Sequence, residues 1–418
     1  MNKYIITKET LKTSKGEQEF IVSALYNENK KMIEASLSSM EEESILGNIY
    51  IGRVEKVVKN LNAAFIRISP TQICYYSMEE YNEPLFTKKL SQKKPLVEGE
   101  ELVVQISREA LKTKEPAVTT NLNFTGKYVV LTTGKHRLGI SSKLTKEERE
   151  RLKTMVETIE HPDFGIILRT NAKDASDVEI MEEIQALIEE WTHLKNTVLH
   201  KTCYTCLKKD NPVYLKEIVN LPTASVDELI TDDRTIFEEL CSLYHISESE
   251  LWTKGSVSVP LDCITVAENL SLRYYNDTML SLSALYSVKS CLETALAEKV
   301  WLKSGAYLII QPTEALTVID VNTGKNVAKK DVQENFLKIN KEAALEIAYQ
   351  LRLRNISGIV LVDFMNLSSK EAEEELMSTF RAALKNDPIP TQLIDITKLG
   401  LVEVTRKKVK KSLLEVLK

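Results

Sequence analysis

The spacing of apolar residues along this chain changes period twice, and each change predicts a different kind of element. From Gly47 to about Ala110, short runs rich in β-branched and aromatic residues (GNIYIGRVEKVV, NAAFIRIS, QICYYSMEE, GEELVVQISRE) are bounded by turn residues and one Pro-containing loop. That is how a small closed barrel reads. In TKEERERLKTMVETIE and ASDVEIMEEIQALIEEWTHLKNTVLHK the apolar residues fall three and four apart, which predicts amphipathic helices. Between them FGIILRT predicts a buried strand that ends on a cation. The stretch from about Pro212 to Asp277 mixes short strands and helices without a motif that names a chemistry.

From about Ser281 the pattern becomes α/β. SALYSVKSCLETALAEKV predicts one helix, and YLIIQ and ALTVID predict strands separated by the turn PTE. A long helix follows over roughly 332–354, with Phe336, Ile339, Ala343, Ile347 and Leu351 on one face. It leads to GIVLVDF, a continuous apolar run typical of buried strands. Strand, helix, strand is the order of a crossover unit, whose two strands are parallel and close in one sheet.

That prediction gives two acids a shared position. Asp320 closes LTVID and Asp363 closes IVLVD, at the C-terminal strand ends where open α/β sheets place their ligands. Adjacent strands lie about 4.8 Å apart and Mg²⁺ takes oxygens at roughly 2.1 Å, so two such carboxylates can share one hydrated ion. A cation relieves their repulsion, leaves positions for water and phosphate oxygens, and can generate hydroxide to attack phosphorus. Asn322 lies two residues past the first acid, within reach of the same crevice. The plainer alternative is that strand-end Asp residues cap the next helix or loop, and the residues alone leave both readings open.

Composition narrows the partners. With 43% hydrophobic and 28% charged residues in 418, the chain is globular rather than disordered, and long enough for two to four domains. Lys and Arg number 55 against 60 Asp and Glu, a net charge of −5, so no global positive field holds a polyanion. Any nucleic-acid contacts must be local. No apolar run approaches the roughly 18 residues that span a bilayer, and MNKYIITKETLKTSK lacks the apolar core of a signal peptide, so a cytoplasmic location is expected. Six cysteines are too sparse for a disulfide scaffold. Cys203 and Cys206 alone have metal-ligand spacing, which is half a zinc site; a packed or exposed helix turn is expected, with no structural zinc.

Three local features could meet bases or phosphates, although none is specific taken alone. Phe65, and Tyr75 with Tyr76, can put rings on the open face of a barrel where bases stack, although such aromatics also build cores. Arg169 beside Thr170 offers a bidentate guanidinium and a hydroxyl, donors that suit a terminal phosphate. KLGLVEVTRKKVKKSLLEVLK, 398–418, carries seven Lys/Arg against two Glu and reads either as a phosphate-following patch or as a solvated helix face.

Together these segments closely resemble the catalytic half of the bacterial ribonuclease E/G family, in order along nearly the whole chain. GNIYIGRVEKVVKNLNAAFIRIS resembles its RNA-binding OB-fold of the ribosomal S-one type, and FGIILRTNA its five-prime sensor. VWLKSGAYLIIQPTEALTVIDVNTGKN, EIAYQLRLRNISGIVLVDF and KLGLVEVTRKK resemble its DNase I-like catalytic domain. The resemblance implies an α/β multidomain protein. An RNase H-like subdomain from 1–44 and 216–294 would be interrupted by the OB-fold (45–121) and the sensor (122–215), with the DNase I-like domain over 295–418. It further implies Asp320 and Asp363 as Mg²⁺ ligands, with Mn²⁺ an acceptable substitute, and Asn322 as the group orienting the metal's water or the scissile phosphate. Arg169 and Thr170 match a pair that grips a five-prime monophosphate. Phe65 and Tyr75 match two barrel aromatics set against RNA, the second normally Phe, and Lys114 matches a basic position bordering that channel. The implied activity is hydrolysis of single-stranded RNA to five-prime phosphate and three-prime hydroxyl ends, in rRNA processing and mRNA decay.

The chain also departs from the family pattern. Lys114-Glu115-Pro116-Ala117-Val118-Thr119-Thr120 replaces KGxxLTT, Ser142 in GISSK stands where a basic residue is common, and Asn366 stands where a further Asp is usual. The sequence ends after SLLEVLK, where the family continues into a zinc-binding CPxC link and a small dimerisation domain, so a monomer or weak homodimer is expected. A rival expectation is a non-catalytic RNA-binding or ribosome-associated protein with a degenerate nuclease domain. A third is a nuclease acting on DNA, since the metal chemistry is not itself specific to RNA.

Overall fold

The computed structural model describes the chain except residues 41–43, 82, 94, 111–114, 135–137, 157–158, 160–162, 174, 222–225, 245, 247–262, 268 and 325–331. Lys114 is therefore outside the described residues. The chain divides into two compact units: Met1–Glu42 with Thr223–Lys418, and Glu43–Pro222.

In the unit Glu43–Pro222 the four strand-like runs form Ile49–Val58, Ala63–Arg67, Ile73–Ser77 and Glu101–Arg108. The short strand Ala117–Thr119 pairs parallel to Ile73–Ser77 and antiparallel to Glu101–Arg108, which pairs back onto Ile49–Val58. The five strands close into a barrel consistent with an OB-fold. Its interior holds Val54, Ile66, Cys74, Leu102 and Val104. Tyr76 is buried there too, its hydroxyl 3.1 Å from that of Thr120, so it is not one of the surface aromatics. Fully buried Glu100 anchors one end of the barrel by accepting from the backbone N–H groups of Leu90, Ser91 and Val97.

Beyond the barrel, Asn123–Thr125, Val129–Thr132, Gly165–Leu168 and Gly139–Ile140 form a second sheet. The helix Asp177–Thr197, started by a capping box of Ser176 and Glu179, packs Ile180, Ile184, Leu187, Trp191 and Leu194 into a core shared with Phe124, Leu131 and Leu168. Cys203 and Cys206 do not lie on a helix turn as expected: Tyr204 has φ +72°, and Cys206 opens the strand Cys206–Lys208, which pairs with Ile49–Val58. Both are free thiols whose pKa burial pushes up.

The other unit contains two sheets. One is ordered Ile264–Ala267, Leu270–Tyr274, Glu228–Thr231, Lys3–Thr13, Gly16–Tyr26, Met32–Ser39. The other runs Lys299–Trp301, Tyr307–Pro312, Leu316–Asn322, Gly358–Asp363, Val402–Arg406, Thr391–Ile396. The helices Val332–Leu353 and Lys370–Leu384 supply Ile339, Ala343, Ile347, Leu351, Leu376 and Phe380 to the core of the second sheet.

Two expectations about this unit are corrected. The predicted single helix after Ser281 is two, Leu282–Leu285 and Val288–Leu296, broken at Ser287 with φ +52°. The Tyr286 carbonyl accepts a hydrogen bond from the Tyr26 hydroxyl at 3.0 Å, with the rings 5.2 Å apart, a tertiary contact no local pattern announces. The C-terminal basic run is not one helix face: it comprises the strand Val402–Arg406 and the short helix Leu413–Leu417. Arg406 is buried against Asp387, while Lys408 and Lys410 pair with Glu415 and Glu34.

Candidate active site

Leu316–Asn322 and Gly358–Asp363 are adjacent and parallel, as the crossover pattern predicts, and their register sets Asp320 opposite Asp363. Alternation sends Ile319, Val321, Val360 and Val362 into the core, and Asp320, Asn322 and Asp363 to the other face. Both carboxylates are exposed. Among the described residues no cation pairs with either. Asn322 Nδ2 donates to Asp320 Oδ2 at 2.7 Å, which holds one carboxylate oxygen.

Buried groups hold the backbone on both sides of the pair. Asn340, fully buried on the long helix, donates to the Met365 carbonyl at 2.7 Å and accepts from its N–H at 3.1 Å, two residues past Asp363. Gly324, with φ +66°, follows Asn322 closely; a Cβ there would stand 2.3 Å from the Gly305 carbonyl oxygen. That position therefore requires glycine. Neither residue was singled out by sequence; Asn340 sits within an apolar stripe and only its burial marks it.

The donors suit a hard divalent cation. Two carboxylates and an amide oxygen on one sheet face are all oxygen ligands, and among the described residues no cationic side chain offsets the repulsion between the two carboxylates. Among the described residues no group of three or more His, Cys, Asp or Glu is placed to share a metal ion. A site of one or two carboxylates fits Mg²⁺, which keeps several waters, better than a metal needing an all-protein cage.

The same face carries a feature the sequence did not announce. Trp301 pairs in register with Tyr307, and Tyr307 with Asn322; Lys299 pairs with Ile309, and Ile309 with Asp320. Trp301 is 64% exposed. The signal in hindsight is the alternation of KVW and YLIIQ, but which strand they flank is decided only by pairing.

On the barrel, Phe65 and Tyr75 are cross-strand partners, both half-buried, with ring centroids 6.3 Å apart and edge-to-face. Arg169 follows the strand Gly165–Leu168 and is half-buried. Its Nη1 donates to the carbonyls of Gly126 at 2.6 Å and Lys127 at 3.3 Å, and its Nη2 to Asn220 Oδ1. Burial lowers its pKa and the nearby Glu183 carboxylate raises it, the former prevailing. Glu183 also accepts from the backbone N–H groups of Lys127, Tyr128 and Val129, fixing the turn that Arg169 grips. Thr170 Oγ1 lies 2.8 Å from Ser141 Oγ. The two adjacent side chains thus have different partners, and Arg169 has protein acceptors for part of its donor fork.

These features define a mixed α/β protein that joins a closed five-stranded barrel to an open-faced sheet bearing a register-matched pair of acids. The chain belongs to the Ribonuclease E/G family, whose family model matches residues 123–409. It is 30% identical over 379 residues to a protein named Ribonuclease E from Synechocystis sp., covering 88% of this chain and 53% of that one. It is 30% identical over 397 residues to Ribonuclease G of Haemophilus influenzae (92% and 77% covered) and 29% over 383 to Ribonuclease G of Escherichia coli (89% and 75%). The chain spans about half the length of the cyanobacterial relatives it matches. Among the described residues no helix is long and apolar enough to cross a membrane.

Proposed function

We propose that this protein is a metal-dependent endoribonuclease that hydrolyses single-stranded RNA in RNA processing and decay. The observation that carries the reading is the pairing of Asp320 with Asp363 on the open sheet face, with Asn322 bonded to the first. Asp320 and Asp363 would hold Mg²⁺, or Mn²⁺ in its place. When bound, the ion supplies Lewis-acid charge neutralisation at the phosphate and favours deprotonation of the attacking water. Asn322 keeps Asp320 in one orientation and presents an amide to the substrate. A water oxygen attacks phosphorus and gives up a proton to solvent, the bond from phosphorus to the three-prime oxygen breaks, and that oxygen takes a proton from solvent, so the products are a five-prime phosphate and a three-prime hydroxyl.

Phe65 and Tyr75 would stack bases of the strand as it crosses the barrel, a sequence-tolerant contact. Lys114 would border the same channel. Arg169 and Thr170 would favour substrates with a five-prime monophosphate, for which the guanidinium, half-buried and braced by the 126–127 carbonyls, is preorganised. The domain assignment is an OB-fold over 45–121, a five-prime sensor over 122–215, an RNase H-like subdomain from 1–44 and 216–294, and a DNase I-like catalytic domain over 295–418. A cytoplasmic location and a monomer or weak dimer complete the reading.

Cleavage of a fluorescent single-stranded oligonucleotide with Mg²⁺, by the parent and by Asp320→Asn and Asp363→Asn, tests the metal site. Undiminished cleavage in either variant sinks it. For the sensor, the parent should cut a five-prime monophosphorylated substrate faster than its hydroxyl counterpart by roughly tenfold or more, the strength of a charge-assisted contact, and Arg169→Ala should erase the difference. Equal rates in the parent reject that role.

A further inference from the structure

Trp301, Tyr307 and Asn322 form one row across three neighbouring strands, and Lys299, Ile309, Asp320 and Asp363 form the next row on the same face. Two strand spacings, about 10 Å, separate the backbone of Trp301 from that of Asn322. The indole is 64% exposed and meets Tyr307 edge-to-face at 5.3 Å. Lys299 Nζ sits 3.9 Å from the Trp301 ring centroid and 3.7 Å from that of Tyr307. Its neighbour Val300 and the facing Leu308 are core, so the strand is held firmly while its outer side chains stand clear.

An exposed tryptophan braced by a second ring and a cation is a poor way to stabilise a fold, because its apolar area stays in water. It is a good way to hold a nucleotide: the indole offers a flat face to a base and the ammonium a charge to the adjoining phosphate. We propose that Trp301, supported by Tyr307 and Lys299, is a stacking platform for a base flanking the scissile phosphate, positioning the strand over Asp320, Asn322 and Asp363. The proposal rests on the nuclease reading for its catalytic consequence. The occupant is single-stranded RNA because the row is continuous with the acidic site and combines the two chemistries a nucleotide presents. Stacking is blind to base identity, so the platform would set the position of the strand rather than a sequence preference.

The test uses the full chain, with Trp301→Ala and Trp301→Phe beside the parent. Anisotropy in EDTA reads binding of a short single-stranded RNA without cleavage, and steady-state cleavage with Mg²⁺ reads KM and kcat. Trp301→Ala should weaken binding and raise KM by roughly tenfold, and Trp301→Phe should restore most of both, with melting temperatures unchanged in all three. Substrates with one abasic nucleotide, placed in turn on either side of the cut, add a second readout. At one position the abasic sugar should penalise the parent and leave Trp301→Ala indifferent, as a lost pairwise contact requires. Unchanged binding and KM in Trp301→Ala overturns the proposal, as does an abasic penalty equal in parent and variant at every position. A parent dimer that Trp301→Ala dissociates in sedimentation would also overturn it, assigning the face to a second copy. A parent that binds RNA through Trp301 but does not cleave leaves the platform standing and rejects the nuclease reading.

Discussion

Two sites in the unit formed by Met1–Glu42 and Thr223–Lys418 use aspartate in opposite ways. Asp387 is buried against Arg406, itself 3% exposed: the guanidinium reaches both carboxylate oxygens, at 2.7 and 3.3 Å, and spends its remaining donors on Asn355 Oδ1 and the Ile356 carbonyl. Asp387 also accepts from the Ile389 N–H and the Thr391 hydroxyl. Every charge there is answered by the chain. At Asp320 and Asp363 two like charges face each other in register, exposed, with one amide donor on Asp320 and no described cation on either. A buried charge left unanswered destabilises the fold, whereas an exposed pair tolerates its repulsion in water and keeps its ligand capacity for something that arrives. The contrast separates structure from chemistry more sharply than residue type does.

The comparison can be broken by substitution. Asp387→Ala should have the largest effect on the fold, about 3–5 kcal/mol of stability, because it strands the Arg406 charge in the interior. Denaturant unfolding measures it, and a loss under 1 kcal/mol would contradict the structural role. Asp320→Asn should act the other way round: cleavage falls about a thousandfold, on the order of 4 kcal/mol of transition-state stabilisation, while stability without divalent ions stays level or rises slightly as the repulsion is removed. A fall in melting temperature comparable to that of Asp387→Ala would erase the distinction.

Glu100 extends the structural side of the comparison into the barrel. Burial pushes its pKa up, but three backbone N–H groups and the Lys89 charge outweigh this and hold it below the ordinary value of 4.5. A lowered folded pKa means the carboxylate contributes stability above the ordinary value, and that contribution is lost as pH falls through the folded one. Glu100→Gln should cost about 1–3 kcal/mol at neutral pH and flatten the acid limb of the stability profile; an unchanged limb would deny Glu100 its role. The smallest effect is expected at the barrel rings, where Phe65→Ala should weaken RNA binding roughly tenfold and leave cleavage of bound substrate nearly unaltered. A fall in kcat with unchanged affinity would move Phe65 from binding to catalysis.

How much of this was legible in sequence depends on the range of the interaction. The barrel strands and the two long helices were readable because each writes its own period, and Asp320 and Asp363 because each closes an apolar run. Tyr75 and Tyr76 show the limit: adjacent aromatics on one strand point to opposite faces, and the sequence does not say which face meets the core. The same limit hid the break at Ser287, which lies next to a carbonyl bonded to Tyr26 some 260 positions away, and the burial of Arg406 inside a run that looked uniformly basic.

By itself, then, the sequence determined the local elements, the strand-end position of the two acids and the family. Tertiary structure alone decided that Asp320 stands opposite Asp363, that Trp301 and Tyr307 join Asn322 in one row, and that Arg406 is spent on Asp387. The reason is physical: periodicity follows from the geometry of one segment, whereas register, face and burial are fixed only when separate segments pair and exclude water together.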